Sequence, residues 1–412
     1  MRPVVRSLTL ERFRSVRAGQ IEFDNPTFLV GRNGSGKSNI ADAFAFLSEA
    51  MTSQLQEVFD RRGGTDSVLT KTFDDDLPAH LGMAIELNPN ELIKTKVENL
   101  EGDVANAHYA FEISTLPDYK FEIVREQCVL SLRDGTKKWF DRTQDQMKTN
   151  VEPFRQTTFK VFARGALSLP SLSGVLPFEI VTQILRSMSV YSIEPSKLRD
   201  MQDPDGGTRL RGDGANAASV FEEIERRSPQ DVQRISEFLS TIVPNTKTVD
   251  TIQHGKKLAL EFTQEWNGGR KLDFEAFNMS DGTLRAFGLL LAVFQRSTPS
   301  LIVVEEPEAS MHPAAAGAIL DLLRHASKQM QVVVSTHSPE ILDARWIEDR
   351  HLRIVNWQEG ATTVSRVSDM SRKALQDHLM GAGELLRSEA LEPDPLFDDA
   401  PEQQGNLFEE VN

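Results

Sequence analysis

The chain has 412 residues, 39% of them hydrophobic and 26% charged, which suits a globular protein with a sizeable core in one large or two ordinary domains. A formal net charge of −15 argues against a uniformly basic coat for non-specific nucleic-acid binding, although it leaves room for a local basic groove. With one cysteine, Cys128, an intramolecular disulfide is excluded and a cysteine-based zinc site disfavoured.

In chain order, Met1 to Glu11 is mixed basic and apolar, without the core of a signal peptide. Within it Val4 to Leu10 alternates apolar and polar residues as a strand does. Gln20 to Phe23 is a short strand, and Thr27 to Val30 is an apolar one that runs straight into Gly31-Arg32-Asn33-Gly34-Ser35-Gly36-Lys37-Ser38. Ile40, Ala43, Phe44 and Leu47 then recur at helical spacing, until Arg61-Arg62-Gly63-Gly64 breaks the pattern. From Leu81 to Ser131 alternating strands predict an antiparallel meander. Helices dominate from Phe178 to Val243, where Asn216 to Arg226 and Gln230 to Ile242 form a pair and Ser228-Pro229 starts the second. No sustained heptads point to a long coiled coil. Lys257 to Phe262 reads as strand, and Phe277 to Ile354 as helix, strand, helix, strand, a crossover α/β arrangement. The apolar stretch Phe287 to Phe294 is too short to span a bilayer, so a cytoplasmic location and no membrane partner are expected. After Leu391 the Pro, Asp, Glu and Gln content, with no Lys or Arg, predicts a disordered acidic tail.

The glycine-rich stretch fits the P-loop pattern in full, and it stands after an apolar strand and before a helix, where that chemistry needs it. Glycines 31, 34 and 36 let the backbone wrap closely, so that its N–H groups point at phosphate oxygens next to a helix N-terminus. Lys37 is placed to reach the β- and γ-phosphates of ATP, and the Ser38 hydroxyl to ligate Mg²⁺. Far downstream, the apolar strand Leu301-Ile302-Val303-Val304 ends in Glu305-Glu306-Pro307-Glu308. An acidic turn after a strand is ordinary by itself. Beside a P-loop, it offers Glu305 as metal ligand and Glu306 as the group that orients or deprotonates the attacking water. A third apolar strand, Gln331 to Val334, ends in Ser335-Thr336-His337-Ser338-Pro339. His337 is either a hydrogen-bonded structural residue or a contact to the γ-phosphate and Glu306. Ligands of such sheets bind beyond the carboxyl ends of the strands, where the three loops can converge.

Together these stretches resemble ABC-type ATPases of the RecF, SMC and Rad50 kind, above all the small RecF-like AAA ATPases without a long coiled coil. The resemblance rests on Gly31 to Asn39, on Phe277-Asn278-Met279-Ser280-Asp281-Gly282-Thr283-Leu284-Arg285, on Glu305 to Pro313 and on Ser335 to Pro339, in that order. It covers about Val4 to Val58 and Phe277 to Val355, and the middle only loosely. It implies an α/β fold: a P-loop ABC-type ATPase head with a β meander and a helical insertion. The expected organisation is an N-terminal lobe over 1–135, a largely helical insertion over 136–250, a C-terminal lobe over 251–390 and the tail over 391–412.

The resemblance also implies that Ser280, Asp281, Gly282 and Thr283 form a signature motif, which binds the γ-phosphate of ATP held by the opposite copy in a homodimer. Read from the residues alone, Ser280 is a helix N-cap. Met279, Asp281 and Thr283 depart from the Leu-Ser-Gly-Gly-Gln pattern, and Glu305 stands where Asp is usual. No glutamine is assigned to the Q-loop. Arg12 or Arg14 approaches the nucleotide or lies on a solvated strand edge. By the same resemblance DNA is a partner, with ATP-driven dimerisation serving repair or defence against foreign DNA. Any nuclease is then a separate effector protein. The alternative is a scaffold clamped by ATP without turnover, regulating such an effector. In the tail, Gln404, Leu407 and Phe408 resemble the short peptide by which bacterial proteins dock on the sliding clamp. Leu396-Phe397 partly echoes it, and chance in a polar tail is the other reading.

Overall fold

The computed structural model describes residues 2–70, 80–89, 104–116, 120–152, 154–155, 157–161, 163–266, 269–394 and 407–411. Two compact units emerge from its contacts: Met1–Met188 with Arg350–Ser368 and Glu392–Asn412, and Ser189–Asp349 with Asp369–Leu391.

In the first unit an eight-stranded antiparallel sheet is built from β1 (Val5–Phe13), β2 (Val16–Glu22), β4 (His80–Leu87), β5 (Val104–Leu116), β6 (Lys120–Leu132), β7 (Lys137–Thr143), β8 (Gln146–Thr149) and β9 (Thr158–Lys160). Their order is β2-β1-β4-β5-β6-β7-β8-β9. Alternation decides its two faces. Tyr109, Phe111 and Ile113 point to the interior, and there Phe111 stacks on Phe46 at 6.5 Å between ring centres. Phe46 belongs to the helix Lys37–Ala50, and it also meets Phe13 and Phe59 edge-on at 5.7 and 5.4 Å. The helix that follows the glycine loop is therefore anchored by aromatic packing along its buried face. The short strand β3 (Thr27–Val30), buried at every residue, pairs in parallel with β16 (Leu352–Gln358), and β16 pairs antiparallel with β17 (Ala361–Ser365).

The meander runs on past residue 135. Strands 137–143, 146–149 and 158–160 extend it, so the helical stretch expected from residue 136 begins only after residue 168. These strands lie toward the sheet's edge, where one face stays wet and the apolar alternation is weak. A buried cluster fixes the return of the chain. Glu126 accepts from Tyr109 Oη at 3.1 Å and from the Ser168 and Leu169 amides at 2.6 and 2.9 Å, and Arg142 stands 3.4 Å away. Burial pushes the Glu126 carboxyl above its ordinary range, and these donors and the Arg142 charge oppose that shift.

The second unit holds the parallel strands β10 (Ser189–Tyr191), β14 (Leu301–Glu305) and β15 (Gln331–Thr336), with β14 bonded to both others. Its helices include the pair Ala217–Arg227 and Pro229–Ile242, the second with proline in its first turn as the sequence predicts. A three-stranded antiparallel sheet joins β11 (Thr246–His254), β12 (Lys257–Trp266) and β13 (Arg270–Glu275). Phe287, on the buried helix Asp281–Phe294, meets Phe221 and Phe262 edge-on, each at 5.5 Å.

The tail read as disordered is ordered at both ends. Pro393 bridges to Val367, and Leu407 and Phe408 are buried against the first unit's sheet. Two apolar side chains that find a receptive sheet face gain enough burial to order an otherwise polar segment. Gln404, of the clamp-like motif, and Leu396-Phe397 lie outside the described residues.

Candidate functional site

The glycine loop is shaped by its backbone. Gly34 and Gly36 sit at φ of 79° and 103°, in the left-handed region that other residues enter only at a cost. At two of the glycines space matters as well: a Cβ on Gly31 would run into the Val355 carbonyl of β16, and one on Gly36 into the Thr362 hydroxyl of β17. Thr362 Oγ1 donates to the Ser35 carbonyl at 2.9 Å and contacts Ser15 Oγ at 2.6 Å, which in turn accepts from Asn39 Nδ2 at 2.5 Å. One threonine, far along the chain on a hairpin, thus buttresses the loop and ties it to the turn between β1 and β2 and to the helix. The ammonium of Lys37 is buried within the loop and donates to the Gly31 and Arg32 carbonyls at 2.8 and 3.0 Å.

Ser35 Oγ is buried without a hydrogen-bond partner among the described residues, an orphan of the kind that an anion seated in the loop satisfies. Arg32, Asn33, Gly34 and Ser38 are exposed. The helix begins at Lys37 after Gly36, which supplies no side-chain cap, and a helix N-terminus of this kind favours an anion. Arg14 is otherwise engaged, pairing with Asp42 at 2.8 Å and donating to the Ser67 carbonyl at 3.0 Å. Arg62 also pairs with Asp42, at 2.8 Å, and with Glu49 at 2.9 Å. Arg14 is thus a brace between the β1–β2 turn and the helix in this chain.

In the second unit, Glu305 ends β14 opposite Ser335 of β15. The chain then turns sharply at Glu306, whose φ of 41° is left-handed. A non-glycine residue costs roughly 1–3 kcal/mol there and persists only where the surroundings over-determine it. The Glu306 amide donates to the Ser335 carbonyl at 3.0 Å, which holds the bend, and its Oε1 stands 3.2 Å from His337 Nδ1. Both side chains remain accessible, at 38% and 43%. Sequence reasoning missed two residues here, Glu308 and Thr336. Thr336 Oγ1 donates to Glu308 Oε1 at 2.5 Å and accepts from the Ser338 amide at 3.0 Å, which fixes the turn that carries His337. Burial pushes the Glu308 carboxyl up, and its Oε2 has no partner among the described residues. The third carboxylate of Glu305-Glu306-Pro307-Glu308 was the available signal.

Ser280 caps the helix Asp281–Phe294, accepting from the Thr283 amide at 3.2 Å, and it is exposed with Asp281. Arg199 forms an ion pair with Asp281 and donates to the Met279 carbonyl at 3.0 Å, so the anomalous acid carries its own counter-charge. A Cβ on Gly282 would lie 2.7 Å from the Ser310 carbonyl. That glycine lets the helix N-terminus press against the loop following the paired glutamates.

Residues 4–163 match the AAA ATPase domain family, and residues 157–343 match an AAA domain family described as a putative AbiEii toxin of a type IV TA system. The DNA replication and repair protein RecF of Francisella tularensis subsp. mediasiatica (strain FSC147) is 30% identical over 98 residues, 23% of this chain and 28% of RecF. RecF of Francisella tularensis subsp. novicida (strain U112) matches to the same extent. The aligned stretch is thus under a third of either relative's length. Among solved structures, an Smc head bound to the C-winged helix domain of ScpA superposes with a TM-score of 0.54 at 16% identity, covering 90% of this chain and all of that one. An Smc head with an extended coiled coil, bound to the C-terminal domain of ScpA and derived from Pyrococcus furiosus, gives 0.53 at 15%, over 92% and all. Among the described residues no helix is long and apolar enough to cross a membrane.

Proposed function

We propose that the chain is a RecF/SMC-like ABC-type ATPase and ATP-hydrolysing enzyme, in which the glycine loop, Glu305, Glu306 and His337 act on one ATP that a second copy covers with its Ser280 helix. The observation that carries this reading is Glu306, bent into the left-handed region and paired with His337 at 3.2 Å. Strain held at a carboxylate beside a histidine is what a positioned base requires.

In this reading backbone amides of Arg32 to Ser38 and the Lys37 ammonium take the β- and γ-phosphates. Binding draws Lys37 from two loop carbonyls to phosphate oxygen, a hard acceptor with full charge. The Ser38 hydroxyl and Glu305 carboxylate are oxygen donors of the type Mg²⁺ takes, and the ion, when bound, neutralises charge on the phosphates. Glu306 takes a proton from water as that water attacks the γ-phosphorus, and the bond from phosphorus to the ADP oxygen breaks. His337 holds the Glu306 carboxylate in place and donates toward the γ-phosphate.

Exposed Ser280 and the helix N-terminus behind it supply the phosphate contact from the second copy, and the Arg199 pair reduces repulsion by Asp281. ATP then favours the dimer and hydrolysis releases it, a population shift set by nucleotide. Likeness to RecF and to Smc heads supports DNA as the partner, in repair or in defence against foreign DNA; any nuclease is then a separate effector. The test is the mass of Glu306→Gln in light scattering. It is expected to dimerise with Mg-ATP and to be monomeric without it. A mass unchanged by Mg-ATP would remove the two-copy site. Retention of the dimer on duplex DNA at low salt tests the DNA reading.

A further inference from the structure

The outer face of the large sheet is covered in part by Leu407, Phe408 and Glu409 of the same chain. Ala84 of β4, Ala110 of β5, Gln127 of β6 and Asp141 of β7 stand side by side in register across four strands. Small residues leave a hollow at this row's start, and Leu407 and Phe408 fill it, making one buried cluster with Ala84 and Ala110. A Cβ on Gly82, two residues along β4, would collide with Leu407.

Polar contacts around the cluster read the peptide backbone as well as its side chains. Gln127, fully buried, donates through Nε2 to the Glu409 carbonyl at 2.9 Å and accepts from the Glu409 amide at 2.8 Å. This reciprocal pair is what an added strand would make with a sheet edge, supplied here by one amide side chain. His108 Nε2 donates to the Leu407 carbonyl at 2.8 Å. The Arg125 guanidinium lies over the Phe408 ring, 4.4 Å from its centre, and Lys137 pairs with the Glu409 carboxylate at 2.7 Å. Two apolar pockets, three backbone hydrogen bonds and a cation for the following acid define a short peptide of the Leu-Phe-Glu type.

We propose that this face is a peptide-binding site for a Leu-Phe-acidic segment, occupied in cis by residues 407–409, so that the chain's own C-terminus is withheld from outside receptors until displaced. Twelve residues of sequence, 395 to 406, separate Asp394 from the anchor. Attachment within one chain gives the anchor an effective concentration on the order of mM, so a peptide that binds only in the micromolar range still fills its site in the intact chain. For the same reason a free peptide at micromolar concentration competes poorly with the attached one.

The experiment uses the full chain with Leu407→Ala and Phe408→Ala, and a fluorescent peptide of residues 401–412. Anisotropy is expected to show saturable binding to this variant and at least tenfold weaker binding to the wild-type chain. Adding Gln127→Ala to the vacated variant weakens binding at least fivefold. Equal binding to both chains, or none to a vacated variant whose melting is cooperative, overturns the proposal. Should that variant fail to fold, hydrogen exchange on the wild-type chain decides: the Glu409 amide is expected to be protected, and exchange as fast as in the free peptide overturns the docked site.

Discussion

The glycine loop and the Glu306–His337 pair are built by opposite means. The loop is backbone work: positive φ at Gly34 and Gly36, no room for a Cβ at Gly31 or Gly36, and a helix start without a side-chain cap. In the proposed function its hold on phosphate comes from N–H groups that any sequence of the right shape presents. The pair is side-chain work, two groups brought to 3.2 Å by adjacent strand ends and a strained turn. The difference teaches that the two regions should fail in different ways. Damage to the loop should show as lost affinity, and damage to the pair as lost turnover.

The largest expected effect breaks the comparison at the carboxylate. Glu306→Gln keeps the volume and removes the base, so kcat for ATP should fall by about 10²–10⁴-fold while the affinity for nucleotide stays within about threefold. Single-turnover hydrolysis and equilibrium nucleotide titration measure the two separately. A parallel loss of affinity would mean that Glu306 also holds ground-state ATP. A smaller change sharpens the loop side. Thr362→Val removes the hydroxyl that holds the Ser35 carbonyl and touches Ser15. One such bond contributes about 1 kcal/mol, so ATP should bind about fivefold more weakly with kcat unchanged. An unaltered dissociation constant would show that the glycines alone shape the loop.

Sequence reasoning found what recurs at fixed spacing. The P-loop was legible because three glycines, a lysine and a serine are needed at set positions between a strand and a helix, and the structure places them so. The paired glutamates and His337 were legible as polar ends of unbroken apolar strands. Thr362 was not, since it lies 327 residues from Ser35 and hydroxyls in a hairpin carry no signature. Nor was the Arg199–Asp281 pair, which joins two segments that chain order keeps apart. The strands after residue 135 escaped because Lys137-Lys138-Trp139 and Gln146-Met147-Lys148 belong to a half-wet sheet, where apolar alternation fades. The tail misled in a telling way. Leu407 and Phe408 were noticed as an anchor among acids, but its receptor, a row of small residues and Gln127, could be recognised only once the strands were aligned.

The central claim is that Lys37 and Glu306 of one copy act on the same ATP, with Ser280 coming from the other copy. Mixing inactive variants tests it directly through their steady-state ATPase rates. Glu306→Gln mixed with Ser280→Arg should regain roughly a quarter of wild-type activity, because half of the random dimers carry one intact site of two. Lys37→Ala mixed with Glu306→Gln should regain none, since each copy then spoils its own site. Recovery in the second mixture and silence in the first would contradict the account.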